Sequence, residues 1–185
     1  MSANPPRVLI ADPPWKFRDS LPGNGRGASK NYDCLSVEEI CRFALPVLAP
    51  DATLILWRVS SMVEEAYRVC RMWGFVPKSE IVWLKRTKLG KRHFGMGHHV
   101  RSEHESAIVA IRGRAKPKTR STRSTFEAMT PTSQNGHAKH SAKPDAFYEL
   151  VERTWEGPYV ELFARRHRGP EWECFGDELS DREVA

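Results

Sequence analysis

The stretch Arg7-Val-Leu-Ile-Ala-Asp-Pro-Pro-Trp15 joins a short apolar run to two consecutive prolines. The apolar run predicts a buried strand, and the prolines end it because proline cannot donate a hydrogen bond to a sheet ladder. Asp12 is therefore expected at the carboxyl end of a strand. Ligands of open α/β sheets bind outside this edge, so Asp12 is the first candidate for a functional residue.

The rest of the chain alternates between strand-like and helix-like segments. Further strands are predicted at residues 52–57, 80–84, 105–111 and 159–163. Helices are predicted at residues 36–44, 61–73 and 144–154, the first two beginning at the capping boxes Ser36/Glu39 and Ser61/Glu64. This alternation predicts an α/β fold with a mostly parallel sheet and helices on both faces. A single domain is expected to span residues 1–185.

Composition indicates a globular protein with a polyanionic partner. Apolar residues make up 40% of the chain and aromatic residues 10%. No apolar run reaches the roughly 18 residues that a membrane span needs, so no membrane association is predicted. Residues 1–7 lack the apolar stretch of a signal peptide, which predicts a cytoplasmic protein. The net charge of +6 and the pI of about 9.3 favour binding to nucleic acid.

Positive charge is concentrated in two segments, 85–101 and 112–123. Each holds six Lys or Arg residues and no acidic residue. Because apolar periodicity is weak around them, mobile basic loops are predicted at about 85–101 and 112–140, and a charged tail at 180–185. Both loops are expected to flank the target site and to contact phosphates. Solvated loops without function are the alternative.

The tetrad Asp12-Pro13-Pro14-Trp15 offers the groups that methylation of an adenine amino group requires. That nitrogen is a poor nucleophile because its lone pair is delocalised into the ring, so it needs hydrogen-bond acceptors beside it. The carboxylate of Asp12 and the carbonyl of Pro13 are two acceptors, and the ring of Trp15 can stack on a base. The alternative is a proline turn with a capping aspartate and a core tryptophan.

Further short segments follow the tetrad in a fixed order. They are Tyr32 before Ser36-Val-Glu-Glu-Ile40, Leu54-Ile-Leu-Trp57, Glu80-Ile-Val-Trp83-Leu-Lys85, Arg101-Ser-Glu-His-Glu105, Lys143-Pro-Asp145, Glu161-Leu-Phe-Ala-Arg165, Gly169-Pro-Glu-Trp172 and Phe175-Gly-Asp-Glu178. This order, over residues 8–179, resembles that of the MT-A70 family of N6-adenine methyltransferases. The resemblance implies a Rossmann-like class I methyltransferase sheet with a permuted motif order, in which the catalytic motif precedes the cofactor motif. It also implies S-adenosyl-L-methionine as the cofactor.

The resemblance further implies a set of site residues. The catalytic residues are Asp12, Pro13, Pro14 and Trp15. The cofactor-binding residues are Ala11, Asp12, Lys143, Glu161, Phe163, Arg165, His167, Asp177 and Glu178. The substrate-binding residues are Lys16, Tyr32, Trp57, His98, His99, Arg101 and Glu105. The acids at 177 and 178 depart from the family, which often has Asn-Gln there.

Several of these residues have a plainer alternative role. Lys143 could cap the helix that follows it, and Glu105 could be a solvated acid at a strand edge. Arg165 and His167 could be surface residues at a strand end.

No metal is predicted from the histidines. His98, His99 and His104 have no carboxylate or cysteine at a recognisable ligand spacing. Methyl transfer from a sulfonium also needs no Lewis acid. These histidines are expected to contact phosphate or to line the base pocket.

We therefore expect an S-adenosylmethionine-dependent N6-adenine methyltransferase that acts on DNA, in phage or bacterial DNA modification such as restriction-modification. The preference for DNA depends on the compact chain, in which no zinc finger or RNA-binding module is recognised. RNA is the alternative substrate. A third hypothesis is a catalytically silent paralogue that binds nucleic acid. A monomer or a homodimer is expected.

Overall fold

The computed structural model describes residues 4–17, 34–95, 99–131 and 142–176. Their seven strands form one sheet: β1 (Val8–Ala11), β2 (Ala52–Arg58), β3 (Val76–Arg86), β4 (His104–Arg112), β5 (Thr125–Met129), β6 (Tyr159–Leu162) and β7 (Trp172–Phe175). The helices are α1 (Val37–Arg42), α2 (Val63–Met72) and α3 (Asp145–Thr154). The predicted tail at 180–185 lies outside the described residues, as do residues 96–98 and 132–140 of the two predicted basic loops.

The strands follow the order β5-β3-β4-β2-β1-β6-β7 across the sheet. β4 is antiparallel to its neighbours β2 and β3, and the other neighbouring pairs are parallel. The prediction of an α/β fold with a mostly parallel sheet is thus confirmed. The sheet is also consistent with the Rossmann-like architecture that the resemblance implies.

Alternate residues of β1 face opposite sides of the sheet, as the two-residue period of a strand requires. Leu9 and Ala11 belong to the core that includes residues of α1 and α2, whereas Val8 and Ile10 belong to the core that includes residues of α3. All four are at most 1% exposed. Helices therefore cover both faces. None of the described helices has the length and apolar character that a membrane span requires.

A topological switch point lies between β1 and β6. From β1 the chain proceeds through α1 to β2 on one side, whereas β6 pairs with β1 on the other side and continues to β7. The two strands are in parallel register, with Ala11 beside Leu162. Loops diverge at such a point and leave a crevice at the carboxyl ends of the strands. Asp12 lies at this crevice.

The predicted loop at 112–140 contains a strand, because β5 lies within it and pairs with β3. Phe126 and Ala128 of β5 pack on the core under α3. The loop prediction is wrong here because β5 is a short edge strand whose other residues are polar or exposed. Similarly, residues 85 and 86 belong to β3 and not to the first basic loop.

The two basic segments begin at opposite edges of the sheet. The first follows the carboxyl end of β3, which lies on the same edge as Asp12. The second follows β4, and Arg112 at the end of β4 pairs with Ala52, the first residue of β2. The second basic segment therefore begins at the edge of the sheet formed by the amino ends of the parallel strands (the amino edge), because β4 runs antiparallel to them. The prediction that both basic loops flank the target site is wrong for the start of the second.

Two smaller features also differ from the sequence prediction. β7 is not anticipated, because its four residues follow a Gly- and Arg-rich stretch and show weak apolar alternation. The second capping box is not formed: α2 has Met62 at its N-cap and no side-chain capping bond. The first is formed, with Ser36 and Glu39 exchanging hydrogen bonds at the start of α1.

Candidate active site at the carboxyl edge of the sheet

The tetrad after β1 forms a tight turn held by backbone hydrogen bonds. The Trp15 amide donates to the Pro13 carbonyl at 2.8 Å. The Leu35 amide donates to the Pro14 carbonyl at 2.8 Å, and the Lys16 amide donates to the Leu35 carbonyl at 2.9 Å. Residues 14–16 are thus tied to the segment before α1. This arrangement fixes Asp12 at the crevice between β1 and β6.

Trp15 is a core residue as well as part of the tetrad. It is 4% exposed, and its indole nitrogen donates to the Trp57 carbonyl at 3.0 Å. Most of the Trp15 ring is therefore packed in the core, as the alternative of a core tryptophan predicts. Trp15 also lines a cavity beside Asp12. Trp57 is 1% exposed and lies beneath the ammonium of Lys143, 4.9 Å from its ring centroid.

Lys143 bridges two carboxylates at the crevice. Its Nζ lies 2.5 Å from Asp12 Oδ2 and 3.3 Å from Glu105 Oε2. The side chain of Lys143 is 6% exposed, and those of Asp12 and Glu105 are 23% and 31% exposed. The N-cap of α3 is Pro144, with no side-chain capping bond. The alternative that Lys143 caps this helix is therefore wrong.

Glu105 extends this contact into a four-residue ion-pair chain, which comprises Asp12, Lys143, Glu105 and Lys85. Glu105 Oε1 lies 2.5 Å from Lys85 Nζ. The Lys85 ammonium in turn lies 5.0 Å from the ring centroid of Trp83. Because acids and bases alternate, two positive and two negative charges compensate each other in a partly buried place. Glu105 is thus a member of the site and not a solvated acid.

The pKa values of the ion-pair chain follow from burial and pairing. For Lys143, burial opposes the charged form, but the carboxylates of Asp12 and Glu105 raise its pKa above the ordinary value. For Glu105, burial also opposes ionisation, but Lys143 and Lys85 lower its pKa. For Asp12, burial raises the pKa against the attraction of Lys143. Lys143 therefore stays protonated, and Asp12 is a better proton acceptor than an ordinary aspartate.

A second acid lies one strand away in a different environment. Glu161 of β6 is 6% exposed, and Tyr148 of α3 donates its phenolic hydrogen to Glu161 Oε1 at 2.7 Å. Burial raises the pKa of Glu161, partly offset by this hydrogen bond. Arg168 lies over the Tyr148 ring, 3.1 Å from its centroid. Glu161 is thus held by a neutral donor.

Phe163 follows β6 in an unusual backbone conformation. Its φ is 61°, in the left-handed region that a bulky residue seldom adopts. Such a conformation costs on the order of 1–3 kcal/mol and occurs preferentially at functional sites. Its ring packs 4.8 Å from that of Phe43 by centroid distance. Phe163 thereby forms a wall of the crevice.

Two cavities meet at Asp12 and Lys143. The first, of about 330 Å³, is lined by Glu161, Tyr148 and Phe163 and is hereafter the β6 cavity. The second, of about 480 Å³, is lined by Pro13, Pro14, Trp15, Lys85 and Glu105, among others, and is hereafter the tetrad cavity. Asp12, Ala142, Lys143 and Arg165 line both. The buried ion pair therefore separates two spaces that could each hold a ligand.

The remaining predicted residues lie in several places. Ala11 is buried at the end of β1, and Lys16 and His167 are exposed. His99 and Arg101 are also exposed, and the Arg101 guanidinium lies 5.2 Å from the ring centroid of Phe94. Trp57 lines neither cavity. Tyr32, His98, Asp177 and Glu178 lie outside the described residues.

The sequence analysis did not identify Lys85 or Tyr148 as site residues. A signal existed for Tyr148, because it follows Asp145 by three residues and therefore shares a helix face with it. Asp145 and Tyr148 both line the β6 cavity. For Lys85 the only signal was its place at the end of the segment Glu80-Ile-Val-Trp83-Leu-Lys85 that carries the family resemblance. In the part of the chain that the structure describes, no group of three His, Cys, Asp or Glu residues could hold a metal ion.

The fold and the site define an α/β protein with two adjoining cavities at the switch point of its sheet. The MT-A70 family profile matches residues 6–178, and the chain belongs to this family. The resemblance noted in the sequence is thus confirmed.

Relatives with known names cover nearly the whole chain. It is 29% identical over 176 residues to the N(6)-adenosine-methyltransferase catalytic subunit METTL3 of Homo sapiens, which covers 93% of this chain and 28% of that protein. It is 27% identical over 176 residues to the N(6)-adenosine-methyltransferase MT-A70-like protein of Drosophila melanogaster, over 93% and 26% of the two chains. An Arabidopsis thaliana N(6)-adenosine-methyltransferase MT-A70-like protein is 27% identical, over 94% and 24%. The chain thus spans about a quarter of the length of these relatives.

Proposed function

We propose that this chain transfers a methyl group from S-adenosylmethionine to the exocyclic amino nitrogen of an adenosine in RNA. The observation that supports this most directly is the position of Asp12, whose carboxylate lines both the β6 cavity and the tetrad cavity. A residue at such a junction can contact a methyl donor on one side and an acceptor on the other. The relatives named above support the same reaction.

The donor set of the β6 cavity fits S-adenosylmethionine. Lys143 and Arg165 are cations suited to the carboxylate of its amino-acid part, while Glu161 and Asp145 can accept hydrogen bonds from hydroxyl and amino groups. The volume of about 330 Å³ lies within the range of roughly 300–1,000 Å³ that small-molecule sites have. When bound, the cofactor supplies an electrophilic methyl group on a positively charged sulfur.

This assignment entails the permuted motif order. The proposed catalytic residue, Asp12, follows β1, the first strand of the chain, whereas Glu161 and Phe163 lie in and after β6. The catalytic part of the sequence therefore precedes the cofactor part. Asp177 and Glu178 are proposed, from the family resemblance alone, to approach the adenosine end of the cofactor.

The tetrad cavity supplies the acceptors that the amino group needs. The Pro13 carbonyl accepts one hydrogen bond from the Trp15 amide, and a carbonyl oxygen has a second lone pair. The Asp12 carboxylate provides the other acceptor. Two acceptors that hold the amino hydrogens turn the nitrogen lone pair out of the plane of the ring. Catalysis is then mainly a matter of positioning two reactants in a confined space.

The ion-pair chain gives Asp12 a further role. An amino nitrogen that gains a methyl group must lose a proton, and the Asp12 carboxylate is a base at the junction of the two cavities. Because burial raises its pKa, it accepts a proton more readily than an exposed aspartate. Lys143 can pair with Glu105 when Asp12 is neutralised, since it already contacts both.

The choice of RNA over DNA reverses the preference drawn from the sequence. The relatives are named as N(6)-adenosine methyltransferases, and adenosine is the ribonucleoside. None of these names supports phage or bacterial DNA modification. The earlier preference for DNA rested on modules that were not recognised, which is a weaker argument than the names of relatives that align over nearly the whole chain.

The test is methyl transfer to RNA and DNA oligonucleotides of one sequence, with N6-methyladenosine or its deoxy form identified by mass spectrometry. Turnover on RNA is expected, and kcat should fall about 10²–10³-fold with Asp12→Asn. Turnover on DNA alone would contradict the choice of RNA. No turnover on either, together with no calorimetric binding of S-adenosylmethionine up to millimolar concentration, would favour the silent paralogue.

A further inference from the structure

The basic segment, residues 112–123, is an ordered part of the protein on the side away from Asp12. The amide of Arg114 donates to Asp51 Oδ1 at 2.7 Å, and the amide of Lys118 donates to the Thr154 carbonyl at 2.7 Å. The hydroxyls of Thr122 and Thr154 are 2.8 Å apart. The backbone of the segment is therefore held along the end of α3.

Gly113 allows the chain to enter this segment. Its φ is 64°, and a Cβ atom there would lie 2.1 Å from Asp51 Oδ1. Both the positive φ and the close approach require glycine. The chain therefore turns sharply after β4 and continues along the end of α3.

The charges of this segment are exposed and are reinforced by α3. Five cations of the segment are exposed: Arg114, Lys116, Lys118, Arg120 and Arg123. Arg112 is not in this set, because its guanidinium donates to the Ala49 carbonyl at 2.9 Å. Arg153 on the last turn of α3 adds a sixth exposed cation.

Arg123 and Arg153 face one surface depression of about 520 Å³, which also has hydroxyl groups from Thr119, Ser121 and Thr125 in its lining. No carboxylate is among its lining residues in the part of the chain that the structure describes. Guanidinium and hydroxyl groups are the donors that proteins direct at phosphates. The depression therefore fits a phosphate backbone. We name it the back site.

β5 connects the back site to the tetrad cavity. Thr125 at its start lines the back site, and Thr130 just after its end lines the tetrad cavity. Five residues of extended chain span about 17 Å, a distance that a few nucleotides of one strand can cover. On β5, the carboxylate of Glu127 is paired with Arg86 at 2.5 Å, so it adds no unpaired negative charge to this path.

We infer that the nucleic acid substrate extends from the tetrad cavity along β5 and binds the back site through its phosphates, a few nucleotides from the target adenosine. This inference rests on the proposed function, because it assigns both sites to one nucleic acid. It gives the enzyme a preference for substrates long enough to reach both. The target adenosine is methylated at one end of the path, and affinity is gained at the other.

The test compares the double variant Arg123→Ala/Arg153→Ala with the unaltered protein on two oligonucleotides. One has a single nucleotide on each side of the target adenosine, which is too short to reach the back site, and the other has about twelve. We expect the variant to lose about tenfold in kcat/KM on the long substrate and to be unchanged on the short one. The slope of log affinity against log salt should fall by about 2 on the long substrate.

Two control variants accompany it. Arg123→Lys/Arg153→Lys keeps the charges and should retain most of the length preference, which separates charge from folding. Arg42→Ala/Arg71→Ala removes two exposed cations from α1 and α2 on the other face and should leave both substrates unaffected.

Equal losses on both substrates, or no loss on either, would overturn the inference. If no oligonucleotide is methylated, the proposed function fails. The back site is then judged separately by fluorescence anisotropy with the same labelled oligonucleotides. Weaker binding of the long one by the alanine variant supports the site, and equal binding refutes it.

Discussion

Two neighbouring strands place an acid at the same crevice, and the two acids have opposite kinds of partner. Asp12, after β1, contacts the charged ammonium of Lys143. Glu161, in β6, accepts a hydrogen bond from the neutral hydroxyl of Tyr148. The side chain of Asp12 is 23% exposed and Glu161 is 6% exposed, and burial raises the pKa of both. The comparison shows that the kind of partner distinguishes a proposed reaction centre from a proposed binding residue.

The largest effect is expected at the first of these acids. Asp12→Asn keeps the shape of the side chain but removes its charge and one of its acceptors, so kcat should fall about 10²–10³-fold. Binding of S-adenosylmethionine, measured by calorimetry, should change much less. Asp12→Glu is the matched control and should keep the charge while misplacing it. Full activity in Asp12→Asn would show that the carboxylate neither orients the amino group nor accepts its proton.

Removal of the cationic partner should affect stability next. Lys143→Met leaves the carboxylates of Asp12 and Glu105 without their shared ammonium, which should cost about 1–3 kcal/mol at neutral pH because both acids are partly exposed. Chemical denaturation measures the change. Lys143→Arg keeps the positive charge and should recover most of the loss.

The pH dependence of this loss has a definite sign. Glu105, with a lowered pKa, stabilises the fold above its unfolded pKa of about 4.3, and this contribution disappears as the pH falls through its folded pKa. Lys143, with a raised pKa, contributes below its unfolded pKa of about 10.4, and this is lost as the pH rises through its folded pKa. Asp12, whose pKa is raised, loses its unpaired charge in the variant as the pH falls, so the difference between the two proteins should be largest near neutral pH and should shrink toward both acid and alkali. A difference that grows in acid would refute this account.

Glu161 should depend on pH in the opposite way to Glu105, and with the same sign as Asp12, whose pKa is also raised. Because the pKa of Glu161 is raised, its contribution to stability is present below its unfolded pKa of about 4.3 and is lost as the pH rises through its folded pKa. Glu161→Gln should therefore stabilise the fold by about 1 kcal/mol at pH 7 to 8, and this gain should vanish near pH 4. Thermal melts across this range measure it. Binding of S-adenosylmethionine should weaken about tenfold. Loss of stability at pH 8 would contradict the comparison.

The smallest effect is expected for the neutral partner. Tyr148→Phe removes the hydrogen bond to Glu161 but keeps the ring under Arg168, so the cost should be about 0.5–1 kcal/mol. This corresponds to a fall of a few degrees in Tm for a chain of this size. A loss as large as that of Lys143→Met would remove the distinction between charged and neutral partners.

The sequence was sufficient to predict the central part of the fold. The apolar run before Asp12 and the proline pair after it predict both the strand and the position of the acid at its end. These features are local, so they are visible in nine consecutive residues. The pairing of Lys143 with Asp12 is not, since 131 positions separate them. It depends on the register of β1 and β6 and on the start of α3.

The edge of the sheet shows why other parts were missed. β5 and β7 are edge strands of five and four residues, and each buries few side chains. Several of their residues are polar because one side of an edge strand faces solvent. The alternation of apolar and polar residues that identifies a central strand is therefore weak in them. The burial of Trp15 could not be predicted either, because the residue type alone does not distinguish a tryptophan that stacks on a base from one that packs in the core.

The reversed strand β4 has a consequence for how this protein could change. Its first residues bring Glu105 to the ion-pair chain, and its last residue directs the basic segment to the far side. A lengthened or shortened connection between β4 and β5 would therefore alter the reach of the substrate path without moving a proposed catalytic group. In the proposed arrangement, the length of substrate that the protein contacts and the reaction at Asp12 depend on different parts of the chain. Protein engineering could therefore change the preferred substrate length through one surface loop.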